Sequence, residues 1–108
     1  MDESVYNQRV AAAFKRIMTA ADAVDPDTLE ADSTGDMVTL TAASREKCII
    51  NTQRAVRQIW VAGQGEGIHF SHDEARALWV DDKGRGIELF AFVAHVVKSL
   101  CGAQLALP

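Results

Sequence analysis

The first apolar repeat of the chain predicts a helix over residues 4–24. Apolar side chains recur there at intervals of three and four residues, the spacing that places them on one helical face. That face comprises Tyr6, Val10, Ala13, Phe14, Ile17, Ala21 and Val24. Ser4 is the expected N-cap, because its hydroxyl can accept a hydrogen bond from a free N–H of the first turn. Asp25 precedes Pro26 and should end the helix, since a residue before proline avoids the helical conformation.

Alternation of apolar and polar residues replaces the helical repeat after residue 28 and predicts about six short strands. The predicted strands are 29–32, 37–42, 46–53, 58–62, 68–70 and 77–80. The polar segment 33–36 and the glycines of segment 63–67 predict turns. Because tight turns join antiparallel neighbours, we expect an antiparallel sheet.

A second apolar face predicts a closing helix from about Ile87 to Cys101, with Gly102 as its C-cap. Its members are Leu89, Phe90, Val93, Val96, Val97 and Leu100. The order is therefore helix, meander of about six strands, helix. Two amphipathic helices and one sheet predict an α+β two-layer sandwich, with both helices packed on one face of the sheet. The length of 108 residues suits a single domain over residues 1–108.

Composition excludes several classes of protein. No apolar run reaches the roughly 18 residues that a membrane-spanning helix needs. The acidic start at Met1 lacks the basic and apolar regions of a secretory signal. Two cysteines, Cys48 and Cys101, cannot form a disulfide scaffold, so a reducing cytoplasm is the simplest location. The net charge of −4 argues against nucleic acid as a partner, because phosphate binding needs clustered Lys and Arg.

The negative charge is concentrated in the first third of the chain. Residues 1–36 carry eight acids and three bases, whereas the rest carries seven acids and eight bases. The candidate metal ligands are Asp22, Asp25, Asp27, Glu30 and Asp32. Clustered carboxylates suit hard cations such as Fe³⁺, Mn²⁺ or Ca²⁺. They also suit a basic partner surface or a merely solvated face, and the pattern leaves the three interpretations open.

Two neighbouring predicted strands carry a second candidate surface. If Ile50, Ile59 and Val61 face the helices, strand alternation turns the intervening residues outward. The outward residues would be Asn51, Gln53, Gln58 and Trp60. An exposed tryptophan among amides is typical of a protein-binding hot spot. The alternative is that Trp60 is covered by a neighbouring side chain or by a dimer contact.

No pattern indicates a nucleophile or an organic cofactor. The glycines of segment 63–67 lack the spacing and the lysine of a phosphate-binding loop. His69 and His72 are three residues apart in a predicted strand, so they should point to opposite faces, which is poor for chelation. Cys48 and Cys101 lack the spacing of metal ligands and are expected to pack as small apolar residues.

Taken in order, these features resemble the frataxin family in its bacterial form. The most specific part is segment 49–53, Ile-Ile-Asn-Thr-Gln, followed by segment 58–62, Gln-Ile-Trp-Val-Ala. The section from Gly65 to Trp79, with His69-Phe70, supports the resemblance, which covers nearly the whole chain. It implies a sandwich of two helices on an antiparallel sheet and a role in iron–sulfur cluster assembly.

The resemblance also implies particular ligands and partners. It implies weak binding of Fe²⁺ and Fe³⁺ on an acidic ridge, which by position would be Asp22, Asp25, Asp27, Glu30 and Asp32. It implies contact with a cysteine desulfurase and an iron–sulfur scaffold protein, with Asn51, Gln53, Gln58 and Trp60 meeting that machinery. Further carboxylates of the bacterial pattern are replaced here by Met18, Thr19 and Ala23, so we expect a thinner ridge.

The resulting hypothesis is a non-enzymatic, iron-binding regulator of the desulfurase–scaffold complex. A ferroxidase or iron-storage activity is one alternative, although neither predicted helix carries the Glu-x-x-His pair of di-iron bundles. An acidic interaction module without a physiological metal is the other. We expect a monomer that iron could drive to oligomerise, with no nucleic-acid or membrane partner.

Overall fold

Six antiparallel strands form a meander that two helices cover on one face. The structure is a computed structural model and describes residues 1–107. Helix α1 spans Glu3–Asp22 and helix α2 spans Leu89–Cys101. The strands are β1 Leu29–Ser33, β2 Met37–Ala42, β3 Lys47–Gln53, β4 Gln58–Gly63, β5 Glu66–Asp73 and β6 Leu78–Asp81. They lie in the sheet in chain order, β1 to β6, and each neighbouring pair is antiparallel. The predicted α+β sandwich is confirmed.

The core lies between the inward side of the sheet and the facing sides of both helices. Strand alternation produces it directly, since Ile50, Ile59 and Val61 are fully buried as predicted. The largest fully buried side chains are Tyr6, Phe70, Ile17, Leu29, Leu40, Ile50, Ile59, Leu89, Val38, Val61, Val93 and Val96. No helix within residues 1–107 is long and apolar enough to cross a membrane.

Both helices begin at a carboxylate cap, and the predicted N-cap at Ser4 is wrong. Asp2 caps α1 instead, because its Oδ1 accepts a hydrogen bond from the Val5 N–H at 2.8 Å. Helix α2 starts at Leu89, two residues after the predicted start at Ile87. Glu88 is its cap and accepts hydrogen bonds from two backbone N–H groups of the first turn.

The β4–β5 hairpin is tighter than the sequence predicts, and β5 is therefore longer. Its turn consists of Gln64 and Gly65, whose φ angles are 55° and 75°. Positive φ at both central residues matches the twist of antiparallel strands, so pairing resumes at Glu66 instead of Ile68. Strand β6 starts at Leu78 instead of Ala77, because Ala77 has a φ of 54° and belongs to the preceding turn.

A buried carboxylate organises the connection between β6 and α2. Asp81 is 4% exposed, and its Oδ1 accepts hydrogen bonds from the backbone N–H of Lys83 and Arg85 and from the Arg85 side chain. Its Oδ2 accepts the Ile87 N–H at 3.0 Å. The Ile87 carbonyl in turn accepts the Asp81 N–H at 2.9 Å, so Ile87 pairs with the end of β6 before the helix begins. Burial alone would raise the pKa of Asp81, but these hydrogen bonds outweigh burial and lower the pKa to about 2.

We expect Asp81→Asn to lower the midpoint of thermal unfolding at neutral pH by several degrees, because an amide NH₂ cannot accept the Ile87 N–H. The folded-state pKa lies below the unfolded value of about 3.9, so the stabilisation is complete above about pH 5. It is lost as the pH falls toward 2, and the difference between variant and wild type should close over that window. Thermal unfolding followed by circular dichroism measures it.

Asp32→Asn is the matched control, because its carboxylate is exposed and the substitution removes the same charge. A gap between Asp81→Asn and wild type that stays constant from pH 6 to pH 2 would contradict the role of the Asp81 charge.

Candidate functional site

A row of side chains crosses the outward side of the sheet. Met37 pairs with Asn51, Asn51 with Trp60, and Trp60 with His69, so these four residues of β2 to β5 line up across the strands. All of them are half-exposed or exposed. We call this row, together with the amides Gln53 and Gln58 beside it, the polar face. The prediction that Asn51, Gln53, Gln58 and Trp60 share an outward surface is confirmed.

Trp60 rests on the backbone of the neighbouring strand. A Cβ built on Gly67 would lie 2.9 Å from the indole Nε1, so only glycine leaves room for the ring in this position. The His69 ring meets the indole edge-to-face, with centroids 6.4 Å apart. Trp60 is half-exposed, so no neighbouring side chain of the chain covers it completely. The indole is held in place and remains accessible.

The amide of Gln58 is held by a polar network. Its Nε2 donates to Ser71 Oγ at 3.0 Å and to Asp82 Oδ2 at 3.2 Å. Its Oε1 lies 3.3 Å from Nδ1 of His69. Asn51 differs, because its buried Oδ1 has no hydrogen-bond donor among residues 1–107. The face therefore combines a fixed amide with one whose acceptor oxygen is unsatisfied.

Three residues of this surface are absent from the sequence prediction. His69 and Met37 follow from strand pairing, and the period-two pattern would have found them once the register was known. Asp82 lies just beyond the end of β6, and no local pattern signals its contact with Gln58.

The five ridge carboxylates form an exposed strip and not a cage. Asp22 ends α1, and Asp25 and Asp27 follow in the turn to β1, where Asp25 Oδ1 accepts the Asp27 N–H at 2.9 Å. Glu30 and Asp32 lie on the outward side of β1. Within residues 1–107, no three His, Cys, Asp or Glu side chains lie close enough together to hold one metal ion. Any cation here would complete its coordination shell with water.

The local field at the ridge is nevertheless negative. The last turn of α1 contains no basic residue, so the carbonyl end of the helix adds its partial negative charge to that of Asp22. A depression of about 170 Å³ brings Asp27 and Glu30 beside Arg45. Antiparallel pairing of β1 with β2 places Arg45 there, and its positive charge weakens the field at this end of the ridge.

Both cysteines are free thiols that pack into the fold. Cys48 is fully buried, and burial raises the pKa of its thiol to about 12. Cys101 is half-buried with its Sγ 3.4 Å from the Val97 carbonyl. The prediction that both pack as small apolar residues agrees with this placement. His69 and His72 lie on opposite sides of β5, as predicted.

Comparison with known proteins decides the family. A model of the frataxin-like domain matches residues 1–103, which is nearly the whole chain. The chain belongs to the frataxin-like family. The resemblance drawn from segments 49–53 and 58–62 is thereby confirmed.

Several bacterial relatives named iron-sulfur cluster assembly protein CyaY are similar to this frataxin-like chain. The protein of Delftia acidovorans is 38% identical over 84 residues, which cover 78% of this chain and 73% of the relative. That of Cupriavidus taiwanensis is 37% identical, covering 91% of this chain and 82% of the relative. The structure of frataxin from Psychromonas ingrahamii superposes with a TM-score of 0.86 at 24% identity, covering 97% of this chain and 96% of that one. It shows that the fold is shared.

We expect Gly67→Ala to displace the Trp60 indole toward solvent, because the new methyl group would overlap the ring. The ring can swing outward, so the loss of stability should stay below about 1 kcal/mol. The indole N–H signal of Trp60 in a nitrogen-correlated NMR spectrum should shift, while that of buried Trp79 stays in place.

Gly35→Ala is the matched control, since a Cβ at Gly35 meets nothing within 4 Å. An unchanged Trp60 indole signal in Gly67→Ala would show that the ring does not depend on this contact.

Proposed function

We propose that this frataxin-like protein is an iron-binding regulator of iron–sulfur cluster assembly. It binds iron weakly through the ridge carboxylates and modulates a complex of cysteine desulfurase and scaffold protein, through the polar face and the ridge. The observation that carries the proposal is the ordered row of Asn51, Trp60 and His69, built on the outward side of a family member's sheet. The names of the bacterial relatives support the assembly role.

The polar face has the properties of an interface centre. Trp60 offers a large apolar surface held by Gly67, so little side-chain freedom remains to be lost on binding. Met37, 37% exposed, extends the apolar part of the row. The unsatisfied Oδ1 of Asn51 would gain a donor from a partner after a small rotation of the amide. Aromatic anchors surrounded by polar groups are the usual source of binding energy in such surfaces.

The ridge lies close enough to act on the same partner. Glu30 and Asp32 point to the same side of the sheet as Trp60, with β1 three strands from β4. At about 4.8 Å per strand, the two features are roughly 15 Å apart, well within one protein interface. The carboxylates would attract Lys and Arg of the partner and speed association, while the polar face supplies most of the affinity.

Iron is cargo in this proposal and not a resident cofactor. Exposed carboxylates that converge in no group of three give weak binding, with water completing the coordination shell. Weak binding permits release, which a regulator that senses iron requires. Occupied carboxylates would also lose part of their charge, so iron would alter the attraction between ridge and partner.

No observation favours the ferroxidase alternative. Helices α1 and α2 carry no Glu-x-x-His pair, and the exposed ridge does not enclose two metal ions. Oxygen consumption with Fe²⁺ at the rate of a protein-free solution would eliminate it. The interaction module without metal differs from our proposal only in iron binding, which the second experiment below decides.

We expect the double variant Asp22→Asn with Asp27→Asn to bind a bacterial cysteine desulfurase about threefold to tenfold more weakly at low salt. Each exposed ion pair contributes about 0.2–1 kcal/mol, and salt screens it. The difference from wild type should therefore fade at high salt. Titration calorimetry at two salt concentrations measures it, together with desulfurase turnover with and without Fe²⁺.

The charge-matched control is Glu3→Gln with Glu66→Gln, since both carboxylates are exposed and lie outside the ridge.

Trp60→Ala should weaken binding by about thirtyfold at either salt concentration, because its contribution is apolar. The proposal would be wrong if the wild type, the ridge double variant and Trp60→Ala all bound the desulfurase with equal affinity.

We expect Fe²⁺ added without oxygen to broaden the amide signals of residues 22–32 before those of the rest of the chain. Iron shortens the relaxation of nearby nuclei, and these residues carry the clustered carboxylates. The ridge double variant should need several times more iron for the same broadening. If no signals broaden, or if those around Glu3 and Glu66 broaden equally strongly, the chain would be better described as an acidic interaction module without a physiological metal.

A further inference from the structure

The orientation of the Gln58 amide is fixed by the carboxylate of Asp82. One end of the amide lies 3.2 Å from Oδ2 of Asp82 and 3.0 Å from Oγ of Ser71. The other end lies 3.3 Å from Nδ1 of His69. A carboxylate oxygen accepts and does not donate, so the end that faces Asp82 must be the NH₂ group. The amide oxygen of Gln58 therefore faces His69.

This amide oxygen determines which nitrogen of the His69 ring carries the proton. An amide oxygen only accepts, so the neutral ring must donate from Nδ1. The other neutral form would place the lone pair of Nδ1 against that of the Gln58 oxygen. The ring is exposed, and no hydrogen bond within residues 1–107 engages its Nε2. Neutral His69 therefore presents Nε2 to the outside as an unused hydrogen-bond acceptor.

The Nε2 acceptor lies beside the accessible indole of the polar face. His69 pairs directly with Trp60 across β4 and β5, and their rings meet edge-to-face. Asn51 pairs with Trp60 from the other side, and its Oδ1 has no donor within residues 1–107. Acceptors without donors thus lie on both sides of the indole. A protein that covers Trp60 must supply donors there, or bury acceptors unpaired at a cost in affinity.

We propose that Nε2 of His69 accepts a hydrogen bond from the protein partner of the polar face, and that acid weakens this contact by protonating Nε2. The partner contact rests on the proposed function, whereas the position of the proton does not. A protonated ring would direct a donor at the donor of the partner. Gln58 and Asp82 are positioning residues, because they act through the ring. Asp82 is the charged group that reaches this network, since the other neighbours of the ring, Trp60 on β4 and Ser71 on β5, are uncharged.

The position of the proton is measured on the full chain labelled with nitrogen-15, by NMR spectra that correlate the ring protons with both ring nitrogens. Above neutral pH, Nδ1 of His69 should be protonated and Nε2 should not. His95, an exposed histidine of α2, should show the reverse, because an imidazole free in water mostly carries its proton on Nε2. A wild-type His69 with its proton on Nε2 would overturn the proposal.

Asp82→Asn should return His69 to a mixture of both neutral forms, because an amide in place of the carboxylate can donate as well as accept. Glu66→Gln is the matched control. It removes an exposed carboxylate from the same strand, outside the network, and should leave the His69 nitrogen signals unchanged. Equal His69 signals in Asp82→Asn and wild type would show that Asp82 does not fix the ring, and would contradict the proposed positioning.

The partner contact is measured by titration calorimetry with a bacterial complex of cysteine desulfurase and scaffold protein, at about pH 7.5 and about pH 5.5, on either side of the ordinary histidine titration. His69→Gln is the reference, because its amide oxygen accepts but takes up no proton in this range. Between the two pH values, wild type should lose about threefold to tenfold more affinity than His69→Gln, the effect of one hydrogen bond.

The comparison with His69→Gln removes any titration of the partner complex itself. An affinity ratio of wild type to His69→Gln that is the same at both pH values would overturn the contact at His69, while the proposed function would stand. Wild-type protein that binds the complex at neither pH would overturn the contact together with the proposed function. The proton on Nδ1 is observed without a partner, so the two failures are distinguishable.

Discussion

The structure depends on the register between β3 and β4, which pairs Ile50 with Val61 and Asn51 with Trp60. Successive residues of a strand point to opposite faces, so one pairing decides both what is buried and what is presented. A slip by one residue would expose apolar side chains such as Ile59 and Val61, at about 1.5–3 kcal/mol for each. The core therefore fixes the polar face. Trp60 can stay exposed without loss of order because residues beneath it hold the strand.

Tyr6 connects the helical layer to that strand pair. Its ring is fully buried against Trp79, and its hydroxyl donates to the Gln58 carbonyl at 2.7 Å. Burial raises the pKa of this hydroxyl, which keeps it neutral and able to donate. Helix α1 thus contributes to three parts of the structure. Its first turns hold the start of β4, its middle pairs Arg9 with Glu74 of the β5–β6 turn, and its last residue begins the ridge.

The periodicity of apolar residues was sufficient to predict the fold and the outward position of the amides beside Trp60. Both follow because side chains alternate between the buried and the outward side of the sheet. It could not supply the partners of Asp81, since the donors are backbone N–H groups whose directions exist only once the loop is closed. The Arg9–Glu74 pair joins residues 65 positions apart, so no local window contains it. Ser4 and Asp2 are equally suited as caps by residue type, so the sequence alone does not choose between them; in the structure Asp2 accepts the Val5 N–H.

The ridge carboxylates have more than one physical reason to be there. Strand β1 is an edge of the sheet, and charged side chains on an edge strand discourage pairing with another chain. Glu30 and Asp32 would perform that task even if the protein never met iron. Asp22 and Asp27 lie outside the strand, and Asp22 sits at the helix end where a negative charge is least favourable. Their charges have no comparable role in the fold, so these two positions separate a binding function from edge protection most cleanly.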